Sequence, residues 1–220
     1  MPQAHHHHDH HDHDHAAHPE PQPDDLVHGY HQILGIALKE LLIEKGVVAP
    51  DELRAMLEKR ETTSPAQGAQ VVARAWVDSG YKARLLADGN AAVAELGFPM
   101  HTTNLVALEN TETVHNAVVC TLCSCYPREL LGLPPSWYKS RSYRARMVRE
   151  PRAVLAEFGT VLPDHVEVRV HDSTADMRYL VVPRRPEGTE NLTEEELTRL
   201  VTRDAMIGVS EVRTAGEGRP

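Results

Sequence analysis

The sequence predicts an α+β fold, a helical N-terminal arm followed by a mixed, layered α/β-type domain. Apolar residues recur at helical spacing through the first part of the chain, β-prone runs begin only at Asn104, and strands then alternate irregularly with short helical pieces. Helices first and mixed elements afterwards argue for α+β over a regular βαβ repeat. A third observation marks the second part: all three cysteines, Cys120, Cys123 and Cys125, fall within six residues there. The 220 residues suit one domain, or one and a half, at roughly 150 residues per domain. Apolar residues at 41% are enough for a core, and with two Phe and two Trp, aliphatic side chains are expected to fill most of it.

Residues 1–25 are a low-complexity His/Asp stretch followed by Pro-rich sequence, and residues 1–18 hold nine of the 15 His. Such a segment has nothing to bury and is expected to be disordered. It reads as a native tract with loose affinity for divalent metal or as a purification tag, and contributes nothing to the fold. From Leu26 a helical stripe runs through Tyr30, Ile33, Leu34, Ala37, Leu38, Leu41 and Leu42, with Gly46 as its stop. Pro50 at a first helical position, beside Asp51 and Glu52, opens a second helix carrying Leu53, Met56 and Leu57. After turn residues 62–65, a third helix over Ala66–Val77 groups Val71, Val72, Ala75 and Trp76. A fourth is predicted from Tyr81 to Leu96, ended by Gly97. This helical region, 26–98, has too little chain of its own to cover its long amphipathic helices and is expected to dock on a partner subunit.

Residues 99–209 are expected to form the second, metal-binding and catalytic domain. Asn104–Leu108 and Val114–Val119 are β-prone, the latter running straight into Cys120. Gly132, Pro134 and Pro135 interrupt the chain before helical pieces at Arg141–Val148 and Pro151–Phe158. Val166–Val170 alternates, Val inward against Glu and Arg outward, and Arg178–Val182 reads as its neighbouring strand, ended by Pro183. Thr193 with Glu196 three residues on is a capping-box signature for a helix carrying Leu197, Leu200 and Val201. Residues 210–220 are rich in Gly and charge and are expected to fray.

The formal charge of −9 becomes −6 without the three Asp of residues 1–18, and Lys and Arg are scattered. A nucleic-acid binder would carry a basic face, so that class is excluded. No apolar run approaches the roughly 20 residues of a membrane helix, and no basic segment precedes an apolar one. The expected address is cytoplasmic. An odd number of cysteines confined to one loop cannot staple a fold, which excludes a disulfide framework.

The loop Val118–Pro127 reads Val-Val-Cys-Thr-Leu-Cys-Ser-Cys-Tyr-Pro. A thioredoxin-like Cys-x-x-Cys pair would stand without the third thiol, Cys125. A structural zinc site needs another Cys or His pair, and His115 is a single strand histidine. A third reading follows from geometry. Thiolates two residues apart, Cys123 and Cys125, reach one metal only by wrapping the backbone around it, which brings the amide nitrogens of Ser124 and Cys125 within bonding range. Cys120 then caps the plane of two sulfurs and two nitrogens. A deprotonated amide is so basic that only a strongly Lewis-acidic, trivalent transition metal holds it. One face stays open for substrate or water.

The motif CTLCSCY resembles the metal-binding loop of the α subunit of cobalt-type nitrile hydratases; iron-type enzymes typically have Ser where this chain has Thr121. The resemblance continues in Val71–Asp78, Leu85–Gly89, Glu109–Thr111, Gly132–Lys139, Tyr143–Arg146, Arg149–Arg152, Val154–Gly159 and Leu200–Gly208, covering Leu26 to Val209. The γ subunit of thiocyanate hydrolase is similar at the same cysteines. The resemblance implies one Co(III) per chain, in preference to Fe(III), held by the sulfurs of Cys120, Cys123 and Cys125 and the amides of Ser124 and Cys125. It implies Cys123 as sulfinate and Cys125 as sulfenate, with Cys125 and Ser124 as the catalytic residues in hydration of a nitrile to an amide. It also implies a β subunit in a heterodimer or heterotetramer, whose arginines balance the anionic sulfurs, and an activator protein that inserts the metal.

Asp172 and Arg178 match family positions around the metal and at the subunit interface; a strand-end acid and a solvent-facing base are the plainer alternatives. The chain departs from the family where Tyr126-Pro127 is followed by Arg128-Glu129 in place of Trp-Pro. Arg128 then puts a cation in the substrate pocket, as thiocyanate hydrolase does, or pairs with Glu129 or solvent. Phe98–Thr103 also departs from the usual Gly/Gln-containing loop. Two other functions stand beside nitrile hydratase: the catalytic subunit of a thiocyanate hydrolase, and a non-catalytic metal carrier using the His tract and the cysteine loop.

Overall fold

The structure, a computed structural model, describes residues 29–214 and, of residues 32 and 58–62, the backbone. The His/Asp tract, Leu26 and residues 215–220 lie outside the described residues. Helices α1 (Gly29–Glu44) and α2 (Pro50–Thr62) form as their signals predict, α2 with Pro50 in its first turn, where the missing N–H costs nothing. Among the described side chains of these two helices none is buried, and Tyr30, Ile33, Leu34, Leu38 and Leu41 stand exposed.

The core begins at α3 (Pro65–Val77), which buries Val71, Val72 and Ala75. Where one helix is expected over residues 81–96, the chain makes two, α4 (Ser79–Ala87) and α5 (Gly89–Glu95). Each begins at an aspartate cap: Asp78 accepts from the Tyr81 amide at 2.8 Å and Asp88 from the Ala91 amide at 3.0 Å. The break lets α5 lie against the strand that follows, so closely that a Cβ on Gly89 would sit 2.3 Å from the Leu105 carbonyl oxygen.

Among the described residues four strands form two parallel ladders. β1 (Asn104–Glu109) pairs with β4 (Met177–Val182), and β2 (Val114–Val119) with β3 (Glu167–Asp172). The expected pairing of β3 with β4 is therefore corrected. The Ser173 amide extends the β2–β3 ladder by donating to Val119 at 2.8 Å, and the Asn104 amide donates to Asp176 at 2.7 Å, so residues 173–176 carry the chain from one ladder to the other. Alternation fixes which face of a strand is inward and leaves its edge partner open.

One hydrophobic cluster joins α3, α4 and α5 to these strands, with Val72, Leu85, Val93, Ala117, Val119, Leu180 and Met206 at or below 1% exposure. The expectation that aliphatic side chains fill most of the core holds, and the same cluster also takes in a group of rings. Trp137, Tyr138, Tyr143 and Phe158 form an aromatic block, with Trp137 edge-on to Tyr143 at 4.9 Å and to Phe158 at 4.7 Å between centroids. These rings come from α7 (Ser136–Lys139), α8 (Arg141–Met147) and the end of α9 (Pro151–Glu157), while α6 (Arg128–Leu131) follows the cysteines directly.

The capping box at Thr193 and Glu196 opens α10 (Glu194–Leu200) as its signature predicts. The short α11 (Arg203–Ile207) stops at Gly208, φ 84°, whose missing side chain leaves room for the Asn116 carbonyl. Of the segment expected to fray, the described residues begin packed: Val212 is buried and Arg213 donates to the Gly159 carbonyl at 2.8 Å. Among the described residues no helix is long and apolar enough to cross a membrane.

Candidate metal centre

Strand β2 is buried along almost its whole length, and it delivers Cys120, itself fully buried, at its C-terminal end. The chain then turns so that Cys123 is exposed and Cys125 half-buried. Cys123 Sγ lies 3.4 Å from Cys120 Sγ and 3.3 Å from Cys125 Sγ, and all three sulfurs fall within 4.8 Å of one another. The turn is stabilised from inside by the Cys123 amide, which donates to Cys120 Sγ at 3.2 Å.

Two outer contacts hold the loop, and a third holds the strand that leads into it. The Asp172 carboxylate, at the end of β3, accepts from the amide and hydroxyl of Thr121 at 2.9 and 2.5 Å. The Tyr138 hydroxyl donates to the Cys125 carbonyl at 2.8 Å, and the Tyr143 hydroxyl to the Val118 carbonyl at 2.7 Å. Neither tyrosine emerges from the sequence as a site residue, because a bond to a backbone carbonyl leaves no spacing signature. The thiols differ electrostatically. Burial opposes ionisation of Cys123, but hydrogen bonds from Cys125 and Cys120 and from the Ser124 and Cys125 amides outweigh it and hold this thiol below the ordinary range. Burial, reinforced by the bond with Cys123 and the charge of Cys120, pushes Cys125 up to about 12, with Arg178 pulling against it.

Cys123, Ser124 and Cys125 open onto a cavity of about 270 Å³ whose walls include Thr102, Arg128 and Arg178. Arg178 is half-buried, tied to the carbonyls of Thr174 and Met177, rather than a solvent-facing base. The suggested Arg128–Glu129 pair does not form: Glu129 instead accepts from the amides of His101 and Thr102 at 3.1 and 3.4 Å and from the Thr102 hydroxyl at 3.1 Å. Arg128 is left on the cavity wall, exposed. The departing stretch Phe98–Thr103 therefore does touch the site, through Thr102 and Thr103.

His115 takes no part. It is buried in β2, its Nε2 donating to the Gly208 carbonyl at 2.8 Å and its Nδ1 facing Asn110 at 3.4 Å. It lines a second, larger hollow of about 520 Å³ between the β1–β2 turn, residues 183–187 and residues 211–213, which contains none of the cysteines. Among the described residues the three thiols are the one group of this kind able to hold a metal. A closed structural zinc site lacks its fourth side chain here, and the third thiol is foreign to a dithiol redox pair. Three sulfurs on a tight turn, open on one side to a cavity, fit a metal bound partly by backbone with a position free for a small molecule.

The sequence profile of the family described as nitrile hydratase, alpha chain, matches residues 30–210. The low-molecular weight cobalt-containing nitrile hydratase subunit alpha of Rhodococcus rhodochrous is 54% identical over 176 residues, which cover 79% of this chain and 85% of that one. Thiocyanate hydrolase subunit gamma of Thiobacillus thioparus is 44% identical over 191 residues, covering 81% and 79%. A solved recombinant thiocyanate hydrolase comprising partially modified cobalt centers superposes with a TM-score of 0.81 at 41% identity, covering 89% of this chain and 96% of that one.

Proposed function

Because this chain belongs to the nitrile hydratase alpha-chain family, we propose that it is the catalytic α subunit of a cobalt nitrile hydratase, a hydro-lyase that converts nitriles into amides. The observation that carries this is the convergence of three sulfurs within 4.8 Å of one another, with Cys123 and Cys125 at the wall of a cavity and Cys120 buried behind them, in a chain 54% identical to a cobalt-containing relative.

The sulfurs of Cys120, Cys123 and Cys125 and the amide nitrogens of Ser124 and Cys125 would hold one Co(III), with Fe(III) the less suited ion. Bound there, the ion supplies Lewis acidity toward a nitrile nitrogen. The chain supplies the rest. Cys123 is carried as sulfinate and Cys125 as sulfenate, both weaker donors than a thiolate. An oxygen on Cys125, which lines the cavity, would take a proton from the water that adds to the nitrile carbon, or would itself add to that carbon, in which case water then cleaves the S–O–C link and restores the sulfenate while the nitrogen gains the protons. Net addition of one water across the triple bond gives the amide. Ser124 contributes through its backbone, between the two oxidised residues. Arg178 offsets part of the negative charge on the sulfurs.

The remaining charge calls for cations from a β subunit, and the exposed apolar side chains of α1 and α2 supply a surface for it. A heterodimer or heterotetramer, an activator protein for metal insertion and a cytoplasmic address complete the proposal. A second reading, the catalytic subunit of a thiocyanate hydrolase, is favoured by one observation: Arg128 puts a cation on the cavity wall. The complex co-expressed with its partner subunit and cobalt decides between them. Acrylamide formed from acrylonitrile, with about one chelator-resistant cobalt per chain, supports the hydratase. Carbonyl sulfide released from thiocyanate in its place supports the second reading. Exchangeable metal without turnover would leave a carrier.

A further inference from the structure

The geometry points to Tyr138 as the residue that positions the cysteine loop for metal, acting through the Cys125 carbonyl. This rests on the proposed metal centre and goes beyond it, since Tyr138 touches neither sulfur nor substrate.

The loop is held unequally at its two ends. At the start it has the strand ladder, the Asp172 carboxylate on Thr121 and the Cys123 amide on Cys120 Sγ. At its far end Cys125 contributes two of the five proposed donor atoms, its sulfur and its amide nitrogen. There the structure gives the Cys125 backbone one side-chain partner from outside the loop, the Tyr138 hydroxyl at 2.8 Å. Tyr138 is fully buried. Its ring meets Tyr126 edge-on at 5.3 Å and lies 6.0 Å from Trp137 and 5.7 Å from Tyr143. A ring packed on three sides cannot follow the loop if the loop moves, so the hydroxyl is a fixed point. A bond to the carbonyl anchors the peptide plane that leaves Cys125, and so the position of the Cα from which both its amide nitrogen and its sulfur project. Preformed ligand geometry of this kind is what supporting contacts around a metal site provide.

Tyr138→Phe removes the hydroxyl and keeps the ring. Tyr143→Phe is its control, since Tyr143 donates an equally buried hydroxyl from the same block to Val118, in the strand rather than the loop. Both are made in the co-expressed, cobalt-loaded complex. Three readouts are taken: the rate of cobalt release to excess EDTA, the sulfur-to-cobalt absorption band, and kcat and KM separately. Tyr138→Phe is expected to release cobalt at least about tenfold faster, to shift the band, and to lower kcat with KM held. Tyr143→Phe is expected to lower Tm while release rate and band stay at wild-type values. Wild-type release and band in Tyr138→Phe would overturn the role, as would equal changes in both readouts from the two variants. A wild-type complex that binds no cobalt would overturn the metal centre itself, and this role with it.

Discussion

Asp172 and Thr121 are joined twice, one carboxylate oxygen 2.9 Å from the amide and the other 2.5 Å from the hydroxyl. The strand-end acid thereby reaches across the β2–β3 ladder and grips the first residue after Cys120. Both residues are exposed, so water competes for these bonds, and each is worth at most about 1 kcal/mol. Asp172→Ala is expected to cost about 1–2 kcal/mol by thermal unfolding of the complex and to reduce cobalt per chain. Asp172→Asn, which keeps one acceptor oxygen, is expected to lose about half as much.

Cys125→Ala removes a sulfur that the other two approach within 4.8 Å. Bound cobalt and turnover are expected to fall together, measured by elemental analysis and acrylamide formation. Survival of both would end the proposed ligand set. In the wild type, peptide mass spectrometry is expected to place added oxygens on Cys123 and Cys125 and leave Cys120 unmodified.

Arg128 faces the cavity while Glu129 is spent on the backbone at His101 and Thr102. An exposed cation contributes about 1 kcal/mol to holding a small anion, or about fivefold in affinity. Arg128→Gln is therefore expected to weaken inhibition by thiocyanate about fivefold and to leave KM for acrylonitrile within about twofold. Equal effects on the neutral and the anionic compound would show that the guanidinium acts by shape.

Burial pushes the His115 imidazole below its ordinary value, against the bond to Gly208 and the charge of Glu211, and burial with the Arg169 charge does the same to His171. The fold holds both rings neutral. Above the unfolded value of about 6.5 they cost nothing. As pH falls below it, the unfolded chain takes up protons that the folded chain refuses, and stability declines toward the depressed folded values. Tm of the complex is expected to drop between pH 7 and pH 5, and His115→Gln, which retains a donor for Gly208, to flatten that slope. An unchanged slope would place the acid sensitivity elsewhere.

Local signals were the legible part of the fold. Pro50, Thr193 with Glu196, and the run of Val114–Val119 into Cys120 all give the elements their chemistry demands. The cysteine loop was equally plain, because clustering of a rare residue type needs no tertiary knowledge. What failed to show was anything decided by partners distant in sequence. Asp88 looked like a helix interior until Gly89 met Leu105. The strand over residues 177–182 could not announce that its ladder lay with β1. Counting Phe and Trp missed four tyrosines, Tyr81, Tyr126, Tyr138 and Tyr143, that are fully or almost fully buried. The hydroxyl of Tyr138 serves the site through a carbonyl, which every residue has.

The parallel ladders also set an order of events during synthesis. Asp172 follows Thr121 by 51 residues, and the strand that carries it pairs with the one that carries Cys120. At about 5–20 residues per second, a ribosome exposes the cysteine loop roughly 3–10 s before its cradle can emerge. For that interval the nascent chain offers three naked thiols to whatever oxidant or stray ion is present. Guarding them is thus a task for the earliest moments of the polypeptide's life, ahead of any meeting with substrate.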